Sequence, residues 1–490
     1  MTRPIPFYFF STLLLLCAAF CLVSCATSLG PGYLVQKQEI QVDFQPQPQP
    51  NLHVMAEYVL KNTGIRQLDS VEIRLPAARF NLLNISVTSE GVKLPQDISP
   101  ANPRDTLIHF PEPWAIGQAH TVRIAYDIQP SDQDGFLAFS ADAFNLPAGG
   151  WTPTLPQQRG VFGFGGVPPK KWNLVVRVPQ DFLVHAGPGK QKRSEKNSQV
   201  EFRFLQTASD LNPFVAAGRY RETRKDLANN QGVHIWSRTE INSDRLQQAG
   251  NSLSKTLGSF DSLFGSRGKA RPPLWIVECP VQKNCFSQRG TVYASFLNGK
   301  AANSSAEMIS RDTIVIDPLV AQDRREALAG PALAAGWLGY GQNPGFYEQQ
   351  PPMSALPAFA AALARETSAG SHVHSEIIQR ALEQVPVHAS RESNDDPVIS
   401  RAKGLLFFYA LRDRVGSENF QKAMQHMLFA RQGRGFDITD LISALEEQSH
   451  QSIGPFVRQW LKQPGVPADF RALYSRPEAQ QNVTFQEAKP

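Results

Sequence analysis

The periodicity of the apolar residues changes once along this chain, and that change limits the folds it can adopt. From Tyr33 to about Arg221, alternating and β-branched runs are separated by clusters of Pro, Gly and Asn, which is typical of strands joined by turns. From about Val233 the apolar residues mostly follow helical spacing. The 490 residues are enough for two or three domains. The sequence therefore predicts a multidomain α+β protein in which a β domain precedes a mainly helical domain.

The individual elements follow from the same periodicities. The predicted strands are Glu39–Phe44, His53–Leu60, Val71–Leu75, Thr121–Ile128, Trp172–Val178, Leu274–Glu278 and Thr313–Asp317. The predicted helices are Asn242–Phe264, Asp323–Tyr340, Ser400–Val415, a helix capped by Ser417 and a helix capped by Asp437 or Thr439. The alternating Gln and Pro of Gln45–Pro50 predict a stiff exposed connection between neighbouring strands.

The segment Asp323–Tyr340 predicts a buried helix built from small residues, with Asp323 as its N-cap. Its apolar residues near helical spacing are Leu328, Ala332, Ala335 and Leu338. Pro331 lies inside this pattern, where it removes a hydrogen bond and clashes with the preceding turn at a cost of about 3 kcal/mol. We therefore expect a kink at Pro331 or a helix that begins near it.

The N-terminus carries the pattern of an exported lipoprotein. An apolar run over residues 7–23 ends in Leu-Val-Ser-Cys at 22–25, which resembles the lipobox of bacterial lipoprotein signal peptides. A run of this length is also compatible with a permanent membrane-spanning helix. The small Ser24 favours cleavage and acylation of Cys25, which would anchor the mature chain to the lipid bilayer. Ala26 is typical of sorting to the outer membrane of the cell envelope, facing the periplasm.

Charge and cysteine usage agree with an exported globular protein. The 49 basic and 44 acidic side chains give a formal charge of +5, without clustered Lys and Arg interleaved with aromatics, so nucleic acid is not expected as a partner. Beyond Cys25 the sequence contains Cys279 and Cys285. In an oxidising compartment this C-x5-C pair favours a disulfide, with two reduced buried thiols as the alternative.

Common motifs for metal or nucleophilic catalysis are missing from the sequence. None of the ten His residues begins an H-E-x-x-H motif, and no G-x-S-x-G motif is present. The one cluster of candidate metal ligands is His372, His374 and Glu376. The two His could chelate a metal on a strand, and His372 could meet Glu376 on a helix. Because the cluster follows a polar Ser-Ala-Gly-Ser stretch, we interpret it as a group of surface residues.

The helical end of the chain resembles a known family. The segments AKGLLFFYALRDRVGSENFQKAMQHML, DITDLISALEEQS and FVRQWLKQPGVP follow, in order and spacing, the end of the catalytic domain of zinc aminopeptidases, the membrane alanyl aminopeptidase-like gluzincins. Shorter matches are the helix around Trp337, AGGWTP at 148–153 and NPFVAAGRY at 212–220. This resemblance implies an N-terminal β-sandwich or saddle domain followed by a thermolysin-like, mainly helical domain.

The resemblance also places the zinc ligands of that family on residues that cannot bind zinc. The family's zinc helix reads H-E-x-x-H-x-W, and its first His, Glu and second His fall on Pro331, Ala332 and Ala335. Trp337 matches the family, whereas the third ligand falls on Pro357. Zinc requires His, Cys or carboxylate donors, which these side chains lack. The resemblance therefore implies that no metal is bound here, and we expect no cofactor.

The positions that hold substrate in the family are altered in the same way. The glutamate that binds the free amine of a substrate falls on Val292, beside a retained Tyr293 in a predicted edge strand. The tyrosine that stabilises the oxyanion falls on Arg401. The resemblance thus implies that neither an N-terminal amine nor a scissile carbonyl is bound as in the family.

We therefore expect a lipid-anchored aminopeptidase-like protein that is a non-catalytic scaffold or binds an extended peptide or a periplasmic protein. The alternative is an active metalloaminopeptidase with unrecognised ligands. The predicted units are a lipoprotein signal peptide at 1–24, an aminopeptidase-like β domain at 25–222, a degenerate peptidase domain at 223–475 and a disordered tail at 476–490.

Overall fold

A computed structural model describes most of the chain in separate stretches. The described residues are 32–76, 82–98, 105–129, 138–147, 150–155, 171–187, 191–196, 199–207, 213–226, 232–240, 242–265, 273–279, 307–308, 313–316, 322–338, 352–370, 372–390, 396–430 and 436–474. The predicted signal peptide, Cys25 and the tail at 476–490 lie outside these stretches.

The first half of the described chain forms three sheets. Its strands are β1 Tyr33–Gln45, β2 Asn51–Asn62, β3 Leu68–Ile73, β4 Leu82–Ser89, β5 Val92–Lys93, β6 Gln96–Ile98, β7 Thr106–Trp114, β8 Ala119–Ile128, β9 Ala138–Ser140, β10 Ala143–Leu146, β11 Lys171–Pro179, β12 Leu183–His185, β13 Gln191–Lys196, β14 Gln199–Thr207 and β15 Val215–Gly218. The sheet orders are β13-β14-β11-β1-β2-β8-β4-β5, β12-β15-β10-β9 and β3-β7-β6.

The hairpin of β1 and β2 lies at the centre of the eight-stranded sheet. The two strands pair antiparallel from Tyr33 opposite Asn62 to Gln45 opposite Asn51. Every second residue of β2 is buried, as expected when one face of a sheet covers a core. The segment after Gln45 joins the two strands, which confirms the predicted connection between neighbouring strands.

Buried aromatic residues tie a non-strand segment to this core. Trp151 is fully buried, and its indole nitrogen donates a hydrogen bond to the carbonyl oxygen of Pro213 at 2.9 Å. The hydroxyl of Tyr126 donates to the carbonyl oxygen of Trp151, and that of Tyr58 donates to the carbonyl oxygen of Pro153 at 2.6 Å. These bonds satisfy polar atoms that would be costly to bury unpaired.

The second half of the described chain contains a mixed five-stranded sheet and most of the helices. Its strands are β16 Arg221–Asp226, β17 Gly232–Ser237, β18 Leu274–Glu278, β19 Glu307–Met308 and β20 Thr313–Ile316, in the order β16-β17-β18-β20-β19. Its helices are α1 Ser243–Phe264, α2 Gln322–Leu338, α3 Leu356–Ala369, α4 His372–Gln384, α5 Pro397–Val415, α6 Ser417–Ala430, α7 Ile438–Ser449, α8 Gly454–Lys462 and α9 Ala468–Tyr474. The predicted α+β architecture is confirmed, and the boundary predicted after residue 222 falls inside β16. No helix in the described ranges is long and apolar enough to cross a bilayer.

Helix α2 differs from its prediction in two respects. It begins at Gln322, so Asp323 lies in the first turn rather than at the N-cap. It also continues through Pro331, so the expectation of a helix beginning near that residue is wrong. The residues after Pro331 are largely buried, and this packing offsets the hydrogen bond that the proline removes. Tyr340, the predicted end, lies outside the described residues.

The packing around Gly218 leads to a stability prediction. A Cβ atom added there would lie 2.5 Å from the Cβ of Ala143 and 2.6 Å from Cε2 of Tyr220. We expect Gly218→Ala to lower the free energy of unfolding in denaturant by about 1–3 kcal/mol, because both neighbours are buried and must move.

Gly258→Ala is the matched control. Gly258 lies within α1 and has no atom within 4 Å of an added Cβ, so alanine should raise stability by up to about 1 kcal/mol. Equal effects of the two substitutions on the denaturation midpoint would contradict the packing described around Gly218.

Candidate functional site

The second half of α2 presents one partly open side. Ala332, Leu333, Ala334, Trp337 and Leu338 are buried. Pro331 and Ala335, which are one turn apart and therefore on the same side of the helix, are half-buried. The two positions predicted to replace the zinc-binding His residues thus share the more accessible side of α2.

Small residues allow α3 to approach α2 closely. A Cβ atom added to Gly330 would lie 3.1 Å from the Cβ of Ala361, so little space remains between the helices. Pro357 lies in the first turn of α3, one turn before Ala361. Proline has no amide hydrogen, and this costs no hydrogen bond at Pro357 because the first amides of a helix have no intrahelical partner. The predicted third ligand position therefore lies on the helix that contacts α2.

Helix α5 makes a second close approach, to the 3-10 turn Met353–Ala355 that leads into α3. A Cβ atom added to Gly404 would lie 2.8 Å from the Cβ of Ala355. Arg401 lies nearly one turn before Gly404 and is half-buried. The structure thus places Arg401 on an element that packs against the start of α3.

The remaining predicted positions are only partly described. Val292, Tyr293 and Cys285 lie outside the described residues. Cys279 is buried and disulfide-bonded, but its partner lies outside the described ranges. The pairing of Cys279 with Cys285 stays a prediction.

The side chains at these positions do not fit a zinc ion. Proline and alanine supply no donor atom, and the guanidinium of Arg401 is a cation. Within the stretches that the structure describes, no group of three or more His, Cys, Asp or Glu residues is arranged to hold a metal.

A buried polar cluster lies further along α3, and the sequence did not reveal it. Glu366 accepts hydrogen bonds from the hydroxyl of Tyr409 at 2.8 Å and from Nη1 of Arg412 at 2.9 Å. Arg412 also contacts Nδ1 of His374 through Nη2 at 2.6 Å. Nε2 of His374 lies 3.3 Å from the hydroxyl of Tyr474. We call these residues, Glu366, His374, Tyr409, Arg412 and Tyr474, the polar cluster.

The donor and the acceptor of each hydrogen bond from Arg412 through His374 to Tyr474 can be assigned. Arginine can only donate, so Nδ1 of His374 accepts from Arg412 and the ring proton lies on Nε2. His374 can then donate to the hydroxyl of Tyr474, which donates to Asp413. The 3.3 Å distance between Nδ1 and Glu366 is compatible with a contact, but the same nitrogen cannot also donate there.

The surface interpretation of the His372, His374 and Glu376 cluster was wrong for one of its three residues. All three lie on α4. His372 and Glu376 are exposed, and Glu376 pairs with Arg380 at 2.8 Å. His374 points to the other side of the helix and is only 7% exposed. The buried Val373, Ile377 and Ile378 mark the apolar side of α4, and this pattern was the available signal.

Burial and neighbouring charges shift the pKa values of Glu366 and Tyr409. Burial acts to raise the pKa of the Glu366 carboxyl group, but the charge and the hydrogen bond of Arg412 act against burial, and the net effect is a lowered pKa. The pKa of the Tyr409 hydroxyl is raised well above its usual value, first by burial and then by the charge of Glu366. The cluster therefore holds one carboxylate and one guanidinium as a buried ion pair.

Solved structures of other proteins share the fold of this chain. The M1 zinc metallopeptidase from Deinococcus radiodurans has a similar structure, with a TM-score of 0.57, 16% sequence identity, and coverage of 90% of this chain and 96% of that chain. A mutant of it bound to Tyr-Ser-Ala substrate matches equally well and is covered over 97% of its length. No family model matches the sequence, and no curated protein matches it. The chain therefore shares the two-domain fold of M1 metallopeptidases.

The polar cluster leads to a prediction about stability. We expect Glu366→Gln to lower the free energy of unfolding by about 3 kcal/mol, because it removes the carboxylate 2.9 Å from Nη1 of the largely buried Arg412 and leaves only exposed Asp413, 3.9 Å from Nε. Glu376→Gln on α4 is the control, and its exposed pair with Arg380 should contribute less than about 0.5 kcal/mol.

The Glu366→Gln variant also tests how the contribution of Glu366 to stability depends on pH. Because the folded-state pKa of Glu366 is lowered, its contribution is complete above the unfolded carboxyl pKa of about 4.3 and is lost as the pH falls through the folded-state value. The stability difference between wild type and Glu366→Gln should therefore shrink below about pH 4.3. A difference that stays constant during acid titration of the unfolding curves would contradict this assignment.

Proposed function

We propose that this chain is a lipid-anchored member of the aminopeptidase-like proteins that binds a peptide or protein segment without hydrolysing it. The observation that carries the proposal is the identity of the side chains on α2, where Pro331 and Ala335 occupy the accessible side of the helix. A peptidase of this type needs a metal-bound water and a carboxylate base, and these side chains supply neither.

The shared fold supports a retained binding surface. The Deinococcus radiodurans protein has been crystallised as a mutant with Tyr-Ser-Ala substrate, and a two-domain M1 zinc metallopeptidase mutant has been crystallised with L-tryptophan and with L-arginine. Backbone pairing of an extended peptide with an edge strand requires no metal ligand. Because Val292 replaces the amine-binding glutamate that the resemblance implies, we propose an internal extended segment as the ligand rather than a free N-terminus.

A second function, that of an active metalloaminopeptidase with unrecognised ligands, is favoured by the likeness to zinc metallopeptidases over 90% of the chain. The two functions differ in metal content. Anchoring through acylated Cys25 at the outer membrane, facing the periplasm, is common to both and rests on the lipobox.

The first test is elemental analysis of the purified mature protein, alongside hydrolysis of alanyl and leucyl arylamides. We expect no stoichiometric zinc and no hydrolysis, because the four ligand and base positions on α2 and α3 lack donor atoms. The Deinococcus radiodurans enzyme, prepared in the same buffers, serves as the positive control. One zinc per chain together with chelator-sensitive hydrolysis would establish the second function instead.

The second test is calorimetric titration of the protein with extended peptides. We expect binding by wild type and at least about tenfold weaker binding by Tyr293→Lys, because a lysine at the proposed edge strand disturbs the packing of the ligand's side chains. Val387→Lys, which adds the same charge at an exposed position after α4, should bind like wild type. Equal affinities of all three, or no binding by any, would remove the peptide-binding function.

A further inference from the structure

The end of the β domain where the described chain begins carries two exposed isoleucines on adjacent turns. Ile65 lies in the turn 63–67 between β2 and β3 and is 68% exposed. Ile116 lies in the turn 115–118 between β7 and β8 and is 60% exposed. We call these two turns the tip. Large apolar side chains this exposed on two adjacent turns point to a contact surface.

Buried Asn62 holds the two turns of the tip together. It is 1% exposed, and its side-chain amide donates to the carbonyl oxygens of Arg66 and Trp114, both at 2.9 Å. Its side-chain oxygen accepts from the backbone amide of Gly64 at 2.9 Å. Its backbone amide and carbonyl pair with the second turn, at Gln118 and Gly117, at 2.8 Å. These bonds join the two turns of the tip, so that Ile65 and Ile116 lie on one hydrogen-bonded unit.

The start of the described chain is attached to the same unit. The carbonyl oxygen of Gly32 accepts hydrogen bonds from the backbone amides of Thr63 and Gly64, at 2.6 and 2.7 Å. A Cβ atom added to Gly32 would lie 2.8 Å from the Cα of Gly64, so the two backbones are in direct contact. Gly32 is seven residues after Cys25. At about 3.3–3.6 Å per residue, the chain between them spans at most about 25 Å.

The charges at the tip suit a lipid surface. The segments 61–67 and 114–120 contain Lys61 and Arg66 and no Asp or Glu. Exposed Asp69 and Glu112 lie two residues beyond these segments, and Glu90 accepts a hydrogen bond from the backbone amide of Thr121 at 3.0 Å. Isoleucines flanked by basic side chains match the acyl boundary and the anionic headgroups of a bilayer.

We propose that the tip, with Ile65 and Ile116 at its surface, contacts the lipid bilayer to which Cys25 is attached and thereby orients the β domain on the membrane. This inference rests on the proposed acylation of Cys25. The surface that the tip contacts is the lipid bilayer itself, because the seven residues from Cys25 to Gly32 keep the tip within about 25 Å of the acylated cysteine.

Lipid-quenching fluorescence on the acylated full-length protein tests this orientation. Ile65→Cys and Ile116→Cys, each labelled with an environment-sensitive dye, are reconstituted in phosphatidylethanolamine and phosphatidylglycerol vesicles that contain brominated acyl chains. Both dyes should lose most of their fluorescence. Ile98→Cys is the matched control, because Ile98 is 74% exposed but pairs with Thr106 at the other end of β7, about 26 Å from Trp114 at ~3.3 Å per residue.

Palmitate labelling of wild type and Cys25→Ser reports separately on the anchor. Absence of label in wild type would refute the anchoring part of the proposed function. In a chain shown to be acylated, equal quenching at all three positions, or none at Ile65 and Ile116, would overturn the orientation. Protection of the two dyes from aqueous quenchers without lipid quenching would mean a protein contact and would overturn it as well.

Discussion

Close approach of helix backbones through glycine and alanine is the constraint on which the helical domain depends. Gly330 lies against Ala361, and Gly404 lies against Ala355, so α2, α3 and α5 meet with almost no space between them. Dense packing of this kind tolerates few larger side chains. Two further small residues, Ala332 and Ala335, leave α2 without donor atoms at positions that the resemblance assigns to the zinc site. Small apolar residues therefore occupy the positions of α2 where a peptidase would need polar ligands.

The polar cluster is a second constraint, and it acts through charge rather than volume. Glu366 and Arg412 come from α3 and α5, while His374 and Tyr474 come from α4 and α9. A buried ion pair adds little net stability compared with apolar packing, but removal of one partner is costly. We infer that the cluster fixes the relative positions of four helices. Its directed hydrogen bonds would be broken by a shift of any one of them.

The two ends of the β domain have different roles in this arrangement. At one end buried Asn62 joins the two turns of the tip. At the other, the hydroxyl of Tyr220 donates to the carbonyl oxygen of Glu278 at 3.0 Å, which links the segment after β15 to the five-stranded sheet. Because both contacts are buried and hydrogen-bonded, they resist local opening. The β domain thus connects the proposed anchor to the helical domain through ordered structure.

The sequence by itself determined the elements whose signals are local. Alternating and β-branched runs identified strands such as β2, and Asp437 was one of two candidate N-caps for α7, because a cap bonds amides only two or three residues away. Tertiary structure alone decided that α2 continues through Pro331 and that His374 meets Arg412 in the polar cluster. In both cases the stabilising contacts come from other helices, Ala361 for the first and Arg412 for the second. The order of strands in each sheet likewise depends on pairing between residues distant in sequence, which no local pattern encodes.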